Sequence, residues 1–167
     1  MRVLGLDPGS RTTGWGLLEG DSRSLTTSSY GCLHGRRETS RARVLAGLAS
    51  GLDDILQRLQ PEIVAIETPF TARFPKAALA LAEARGALLA VLGRWGGPVV
   101  EYEPARIKAA IVGYGRADKH QVAFMISRNL GLETPPPSDA ADALAVALCY
   151  LRSGLVPASL DAARGAV

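Results

Sequence analysis

The residues of this sequence best suited to catalysis are four carboxylates that lie far apart along the chain. Asp7 ends one short apolar segment and Glu67 ends another, while Asp139 and Asp142 are three residues apart at the start of a predicted helix. Residues three apart share one face of a helix. Carboxylates at the carboxyl ends of neighbouring strands point into the crevice where α/β sheets bind their ligands. We therefore expect the four acids to meet at one edge of a sheet.

Four converging carboxylates predict a site for divalent cations. Like charges a few ångströms apart raise one another's pKa, so such a cluster needs compensating positive charge. A donor set made of oxygen alone, without His or Cys, favours a hard cation such as Mg²⁺ or Mn²⁺. Two such ions about 3.5–4 Å apart can bind the attacking and leaving oxygens of a phosphodiester. The pattern therefore indicates metal-dependent phosphodiester hydrolysis.

Each acid also has a structural explanation when it is taken alone. Asp139 and Asp142 would interact favourably with the positive end of a helix dipole, and Asp7 could cap the turn that follows it. Glu67 is harder to explain in this way, because a charge at the end of an apolar strand is unfavourable without a partner. The catalytic interpretation depends on the four acids as a set.

The elements that must position these acids form a predicted α/β fold with a mixed sheet. Apolar segments predict five strands, and helical periodicity with capping and breaking residues predicts five helices, in the order β-β-β-α-β-α-β-α-α-α. Asp118 and Gln121 have capping-box spacing, and Ser138 is a predicted N-cap. The strands are predicted at residues 3–7, 13–19, 24–33, 62–67 and 98–102, and the helices at 44–59, 77–95, 104–112, from 118 onward and 139–151.

Length and composition indicate one globular domain, which we expect over residues 1–156, followed by a flexible tail over 157–167. The 167 residues are 47% hydrophobic and 21% charged, which argues against disorder. Cys32 and Cys149 are far apart and form no CxxC pair, so neither a zinc finger nor a disulfide framework is indicated. The net charge of +3 permits nucleic-acid binding without establishing it.

Nothing in the sequence suggests a membrane protein. An acid follows the first apolar segment too early for a signal peptide, and no uncharged apolar run is long enough to span a bilayer. We therefore expect a cytoplasmic protein with no membrane partner.

Three blocks of the sequence resemble the RuvC-type Holliday junction resolvases. They are Leu6–Gly16, Ala65–Glu67 and Ser138–Ala145, and their order and spacing agree with the family across residues 1–151. Glu83–Gly86, and Val112–Gly115 leading to Lys119, match as well. The resemblance implies an RNase H-like fold with a mixed five-stranded sheet flanked by helices. It also implies a homodimer that cuts two strands of a four-way DNA junction, leaves 5′-phosphates and works beside a branch-migration motor.

The resemblance also implies roles for individual residues. It matches the four acids with the family's catalytic metal ligands, which would hold Mg²⁺, two ions per subunit, with Mn²⁺ as a substitute. Lys108 and Lys119 match basic residues near the crevice. Phe70 matches an aromatic residue that stacks on unpaired bases, which contributes about 1–3 kcal/mol per base. Phe74 is a second candidate for this stacking, because residues 68–74 depart from the family pattern. The further candidate DNA contacts are Arg73, Lys76 and Arg116.

Structural explanations stay open for several of these features. The two phenylalanines could be core residues, and the basic residues could be solvated surface charges. Gly9, Gly14 and Gly16 are expected to let a strand and a turn approach the phosphate backbone closely. The predicted helix over 77–95 is apolar on much of its circumference, which suits either burial against sheet and partner subunit or full burial in the core.

Three other functions are compatible with parts of the sequence. The turn after Asp7 resembles the first phosphate loop of actin-like ATPases, although such proteins need two domains of this kind. A related RNase H-like nuclease that acts on RNA precursors would carry similar acids. A DNA-binding module without catalysis is disfavoured, because acids facing phosphates weaken binding.

Overall fold

The computed structural model describes residues 1–20, 24–35, 40–68, 75–113 and 118–153, without the side chains of Ser28 and Lys119. The predicted order of elements is confirmed, with boundaries shifted by a few residues. The strands are β1 (Arg2–Pro8), β2 (Thr12–Gly20), β3 (Leu25–His34), β4 (Ile63–Glu67) and β5 (Val99–Tyr102). The helices are α1 (Arg41–Leu59), α2 (Pro75–Trp95), α3 (Pro104–Val112), α4 (Lys119–Leu130) and α5 (Ser138–Ser153).

The five strands form one mixed sheet, as expected, and their order in it is β3-β2-β1-β4-β5. β1 pairs antiparallel with β2 and parallel with β4, and β4 pairs parallel with β5. The parallel register aligns Leu6 with Ile66, so the next residue of each strand is an acid, Asp7 or Glu67. The carboxyl ends of β1 and β4 therefore bring these two acids to the same edge of the sheet.

The two faces of the sheet are covered by different helices. On one side, which we call the α1–α2 face, Leu4, Leu6 and Ile66 pack with α1 and α2. On the other side, the α5 face, Val3, Ile63 and Ala65 pack with α3, α4 and α5. Because strand side chains alternate between faces, Asp7 and Glu67 fall in the same rows as Val3 and Ile63 and point toward the α5 face.

The α5 face is unusual because three of its sheet positions are glycine. A Cβ atom added at Gly5 would lie 2.0 Å from the Ala143 carbonyl oxygen, and one at Gly16 would lie 2.5 Å from the Leu144 side chain. At Gly14 it would lie 1.8 Å from the Asp139 carbonyl oxygen. The expectation that Gly14 and Gly16 leave space for a phosphate backbone is therefore wrong, since the space they leave is filled by α5.

The capping signals predict the helix starts closely. The capping box of α4 is confirmed: Gln121 N donates to Asp118 Oδ1 at 2.8 Å, and Asp118 N donates to Gln121 Oε1 at 3.0 Å. The N-cap predicted at Ser138 is displaced, because Ser138 is already the first residue of α5. The amide of Ala141 donates to the Pro137 carbonyl at 2.8 Å, so the helical hydrogen bonds start one residue earlier. The predicted tail over 157–167 lies outside the described residues.

Helix α2 is not a fully buried core helix. Its buried residues are Ala84, Leu88, Val91 and Leu92, which form a narrow stripe toward the sheet and α1. Leu79 on another side of the helix is 62% exposed. Of the two explanations for its apolar circumference, burial on all sides within one chain is therefore excluded. Across the residues described here, no helix is long and apolar enough to cross a membrane.

Candidate active site

The acids from β1, β4 and α5 meet in a crevice at the carboxyl edge of the sheet. A cavity of about 220 Å³ is lined by Asp7, Glu67 and Asp142, together with residues of α3, α4 and α5. Asp7 and Glu67 are joined by a side-chain hydrogen bond. Asp139 lies one turn before Asp142 and is close enough to act electrostatically on Asp7. The structure thus brings Asp7, Glu67 and Asp142 into one crevice and places Asp139 next to it, on the preceding turn of α5.

Close packing of α5 on the glycine positions sets where its acids lie. The carbonyl of Asp139 sits directly over Gly14 of β2, which is paired with Asp7 of β1. Gly5 and Gly16 let the following turns of α5 approach the same strands. A helix held at this distance carries Asp139 and Asp142 to the end of β1. Glycine in these strands is therefore what lets a helix supply half of the acid cluster.

Burial and mutual repulsion strongly perturb the ionisation of Asp7. Its pKa is raised from 3.8 to about 8, chiefly because the carboxyl is removed from water. The charge of Glu67 is the next cause, followed by the charge of Asp142, the hydrogen bond to Glu67 and the charge of Asp139. Asp7 is thus the centre of an acid cluster that favours either a bound proton or a bound cation.

The donor set suits a hard divalent cation, although the side chains are not yet arranged around one. Among the described residues, no three His, Cys, Asp or Glu side chains already have a metal-binding arrangement. Asp7 and Glu67 instead share a side-chain hydrogen bond. Oxygen ligands without a nearby imidazole fit Mg²⁺ or Mn²⁺ better than softer metals.

The predicted basic residues are only partly placed. Lys108 lines the crevice from α3, where Pro104 occupies the first turn and lines it as well. Lys76 is exposed in the first turn of α2, outside the crevice. Lys119 is the first residue of α4, but its side chain lies outside the described part of the structure. The other predicted DNA contacts also lie outside the described residues: Phe70, Arg73, Phe74 and Arg116.

Cys32 is a neighbour of the site that the sequence did not reveal. It lies on β3 opposite Gly14, and its sulfur accepts a hydrogen bond from the backbone N–H of Ala140. Burial raises the pKa of this thiol, and the charge of Asp139 raises it further. Cys32 is therefore held as a neutral thiol beside the start of α5. Only the register of β2 against β3 places it there, and no motif in the sequence carries that information.

Comparison with known proteins gives one consistent result. The family model of the crossover junction endodeoxyribonuclease RuvC matches residues 3–150. The crossover junction endodeoxyribonuclease RuvC of Halorhodospira halophila is 45% identical over 165 residues, which is 98% of each chain. That of Cupriavidus metallidurans is 44% identical over 154 residues, covering 92% of this chain and 85% of its relative.

Solved structures agree with the sequence comparison. The structure of Thermus thermophilus RuvC in complex with Holliday junction substrate has a TM-score of 0.84 and 33% identity, covering 92% of this chain and 96% of that one. The yeast mitochondrial Holliday junction resolvase has a TM-score of 0.63 at 15% identity, over 90% of this chain and 78% of that one, and shows the shared fold alone.

Proposed function

Since this chain belongs to the family of the RuvC crossover junction endodeoxyribonucleases, we propose that the crevice between β1, β4 and α5 is its active site. Members of this family are Holliday junction resolvases, and this chain is one of them. This family assignment argues against the three alternatives, namely an RNA-processing nuclease, an ATPase fragment and a DNA-binding module without catalysis. The observation that carries the proposal is the convergence of Asp7, Glu67 and Asp142 in one cavity.

The family consists of nucleases that depend on divalent metal ions, and the proposed ion here is Mg²⁺. Two ions per subunit would be held by Asp7, Glu67, Asp139 and Asp142, with Mn²⁺ as a substitute. When bound, such ions lower the pKa of the attacking water and stabilise the leaving oxygen. The proposed product keeps its phosphate on the 5′ end and can be rejoined by a ligase.

The raised pKa of Asp7 implies that its carboxyl must lose a proton before it can bind a metal ion. A carboxyl with a pKa near 8 that shares a hydrogen bond with Glu67 holds a proton at neutral pH. Ligation requires that this proton leave, so metal binding is coupled to proton release. Because the surrounding acids disfavour the ionised form of Asp7, it stays ionised only while positive charge occupies the cluster.

The basic residues have a separate proposed role toward the DNA. Lys108 lies in the wall of the crevice and can hold a phosphate oxygen next to the acids, where negative charge develops during hydrolysis. Lys76, Arg73, Arg116 and Lys119 are proposed to bind the backbone of the junction arms. Phe70 or Phe74 is proposed to stack on unpaired bases at the crossover.

A homodimer fits both the substrate and the surface of α2. A four-way junction is nearly two-fold symmetric, so two identical sites related by a two-fold axis can cut opposing strands. One exposed stripe of α2 has small or apolar residues spaced three or four apart: Leu79, Ala82, Gly86, Ala90 and Gly93. Cβ atoms added at Gly86 and Gly93 would meet nothing within 4 Å. This stripe is the proposed contact with the second subunit.

Two further proposals follow from the resemblance alone. We propose that the protein acts in the cytoplasm and that it works beside a branch-migration motor. Neither is needed for the chemistry of the crevice.

The decisive test of the active site is Asp7→Asn with a synthetic mobile four-way junction and Mg²⁺. The unaltered protein should make two nicks at matching positions in opposing strands. We expect Asp7→Asn to cut at least about 10³-fold more slowly, because a metal site contributes several kcal/mol to transition-state stabilisation. Junction binding should persist, since no Arg or Lys is removed. Asp54→Asn, at an exposed acid of α1, is the matched control and should cut normally. Rapid cutting by Asp7→Asn would refute the proposed site.

The proposed dimer is tested by adding charge to the stripe of α2. Gly86→Glu places a carboxylate where the second subunit would pack, and its Cβ would have no described atom within 4 Å. We expect sedimentation at micromolar concentration to show a monomer, and junction cutting to give unpaired single nicks. Gln57→Glu adds the same charge to an exposed site on α1 and should leave the dimer intact. A Gly86→Glu protein that sediments as a dimer would exclude this stripe as the interface.

A further inference from the structure

Arg41, the first residue of α1, joins three segments that are distant in sequence. Its Nε donates to Glu83 Oε2 at 2.7 Å. Its Nη1 donates to the carbonyl oxygen of Ser10, and its Nη2 donates to the carbonyl oxygen of Ala80. Ser10 lies in the turn between β1 and β2, whereas Ala80 and Glu83 belong to α2. All three nitrogens of one guanidinium are thus engaged, and each partner is an oxygen.

The turn that Arg41 holds begins two residues after Asp7, at Gly9. Residues 8–12 carry the chain from β1 into β2, and the space inside the turn is small, since a Cβ added at Gly9 would lie 2.2 Å from the Thr12 carbonyl oxygen. Gly35 N, at the end of β3, donates to the Arg11 carbonyl at 2.8 Å. Two successive carbonyls of the turn are therefore held by hydrogen bonds, that of Ser10 by Arg41 and that of Arg11 by Gly35.

A second ion pair between the same two helices shows what is particular about Arg41. Arg94 of α2 binds Asp53 of α1 at 3.1 Å, at the other end of the helix pair. The Arg94 side chain is 62% exposed and also donates to the Ala90 carbonyl within α2, whereas the Arg41 side chain is 31% exposed and reaches the turn between β1 and β2. Exposed ion pairs such as Arg94–Asp53 contribute little to stability. The Arg41 cluster instead connects α2 to the backbone next to the central acid.

We propose that Arg41 is a positioning residue, which holds the turn after Asp7 against α2 and so fixes where the Asp7 carboxyl stands relative to Glu67. This inference rests on the proposed function of the acid cluster. Metal-dependent hydrolysis is sensitive to displacements of about 1 Å, which can slow a reaction about 10²-fold. Glu83 supports Arg41 in this role, because its carboxylate orients the guanidinium whose other two nitrogens donate to Ser10 and Ala80.

Because the guanidinium of Arg41 has three donor nitrogens in one plane, a conservative substitution can test the proposal. Arg41→Lys keeps the positive charge for Glu83, but a single ammonium cannot reproduce the planar arrangement of three donors. Glu83→Gln keeps an acceptor oxygen and removes the charge. Arg94→Lys is the matched control, since it makes the same exchange in the other ion pair between α1 and α2.

The first readout is amide hydrogen exchange of residues 9–12 in the metal-free protein, which does not depend on activity. Arg41→Lys should raise exchange in this turn at least about tenfold, Glu83→Gln should raise it less, and Arg94→Lys should leave it unchanged. The second readout is the Mg²⁺ concentration that gives half-maximal cutting. It should rise several-fold in Arg41→Lys, with junction affinity within about twofold of the unaltered protein. A role limited to holding α1 and α2 together would move neither quantity.

The outcomes separate this inference from the proposed function. Unchanged exchange and unchanged Mg²⁺ dependence in Arg41→Lys would overturn the positioning role, provided that Asp7→Asn is inactive in the same assay. Equal effects of Arg41→Lys and Arg94→Lys would also overturn it, because the link to Ser10 would then add nothing. Active Asp7→Asn protein would instead refute the active site itself.

Discussion

On the α5 face, a helix lies against the glycines of β1 and β2, whereas on the α1–α2 face helices meet large aliphatic side chains. At Gly5 and Gly14 the backbone of α5 stands where an added carbon atom would lie, and at Gly16 the Leu144 side chain stands there. The α1–α2 face is filled by residues such as Leu48 and Leu88, which are completely buried. Contact between backbones fixes the position of a helix on the sheet, while contact through flexible side chains allows small shifts. The comparison indicates that backbone contact on the α5 face sets the position of the α5 acids, while the aliphatic side chains of the α1–α2 face contribute mainly to stability.

Among variants that compare the two faces, the largest effect should come from adding one methyl group to the α5 face. In Gly14→Ala the new Cβ would stand 1.8 Å from the Asp139 carbonyl oxygen, so the start of α5 must move. We expect junction cutting to fall about 10²-fold or more, in line with the effect of a displacement of about 1 Å in an active site. Single-turnover cutting at saturating enzyme measures this.

The matched control for Gly14→Ala is the same exchange on the other face. In Gly51→Ala of α1, the nearest atom to the new Cβ is Leu33 Cδ2 at 2.8 Å, the end of a side chain that can rotate. Alanine also favours a helix by about 1 kcal/mol over glycine. Cutting should stay within about twofold of the unaltered protein. Equal losses of cutting in the two variants would contradict the division between the faces.

A cavity in the α1–α2 face should affect stability rather than cutting. Leu48→Ala removes a completely buried side chain and should lower the free energy of unfolding by about 2–5 kcal/mol. Thermal denaturation should show a Tm lower by about 2–4 °C for each kcal/mol. Cutting at a temperature where the variant is folded should change little. A loss of cutting as large as that of Gly14→Ala would show that the α1–α2 face also sets the site geometry.

The smallest expected effect is on the pH dependence of stability, which should come from the acids on the α5 face. The pKa of Asp7 is about 8 in the folded protein against 3.8 for a free side chain. The folded state therefore keeps a proton that the unfolded chain releases. This contribution to stability is complete below about pH 3.8, declines as the pH rises and is lost above about pH 8.

We therefore expect the Tm of the metal-free protein to fall between pH 5 and pH 8.5. In Asp7→Asn this part of the decline should disappear, and a saturating divalent metal ion should restore Tm at high pH in the unaltered protein. The Leu48→Ala protein should keep the full pH dependence, because the acid cluster is intact. A decline of equal size in Asp7→Asn would show that other groups cause it.

The features of this fold that the sequence predicts correctly depend on signals that act over a short range along the chain. Periodicity of two or of three to four residues reports which side of a segment is buried, and this gave the order of strands and helices. The capping box at Asp118 is a signal between residues three apart, and it is present as predicted. The four acids were recognisable because each follows or begins a predicted element, and these ends meet at the same edge of an α/β sheet.

The features that the sequence did not reveal depend on contacts between segments far apart in the chain. Gly14 was assigned to the approach of phosphate, yet its free space is taken by the Asp139 carbonyl, 125 positions further along the chain. The apolar helix α2 fitted two packing arrangements equally well until its exposed stripe was visible. Neither the place of Cys32 beside α5 nor the three partners of Arg41 leaves a mark in the local pattern.

The sequence by itself determined the elements, their order and the acids that meet at the end of the sheet. Those properties depend on each residue's own preference for water, for a helix or for a strand, and such preferences act between neighbours. Only the tertiary structure decided how closely α5 approaches the sheet, which face of α2 is left exposed and what Arg41 holds. The reason is physical: close approach is a property of two surfaces at once, and neither segment alone specifies the shape of the other.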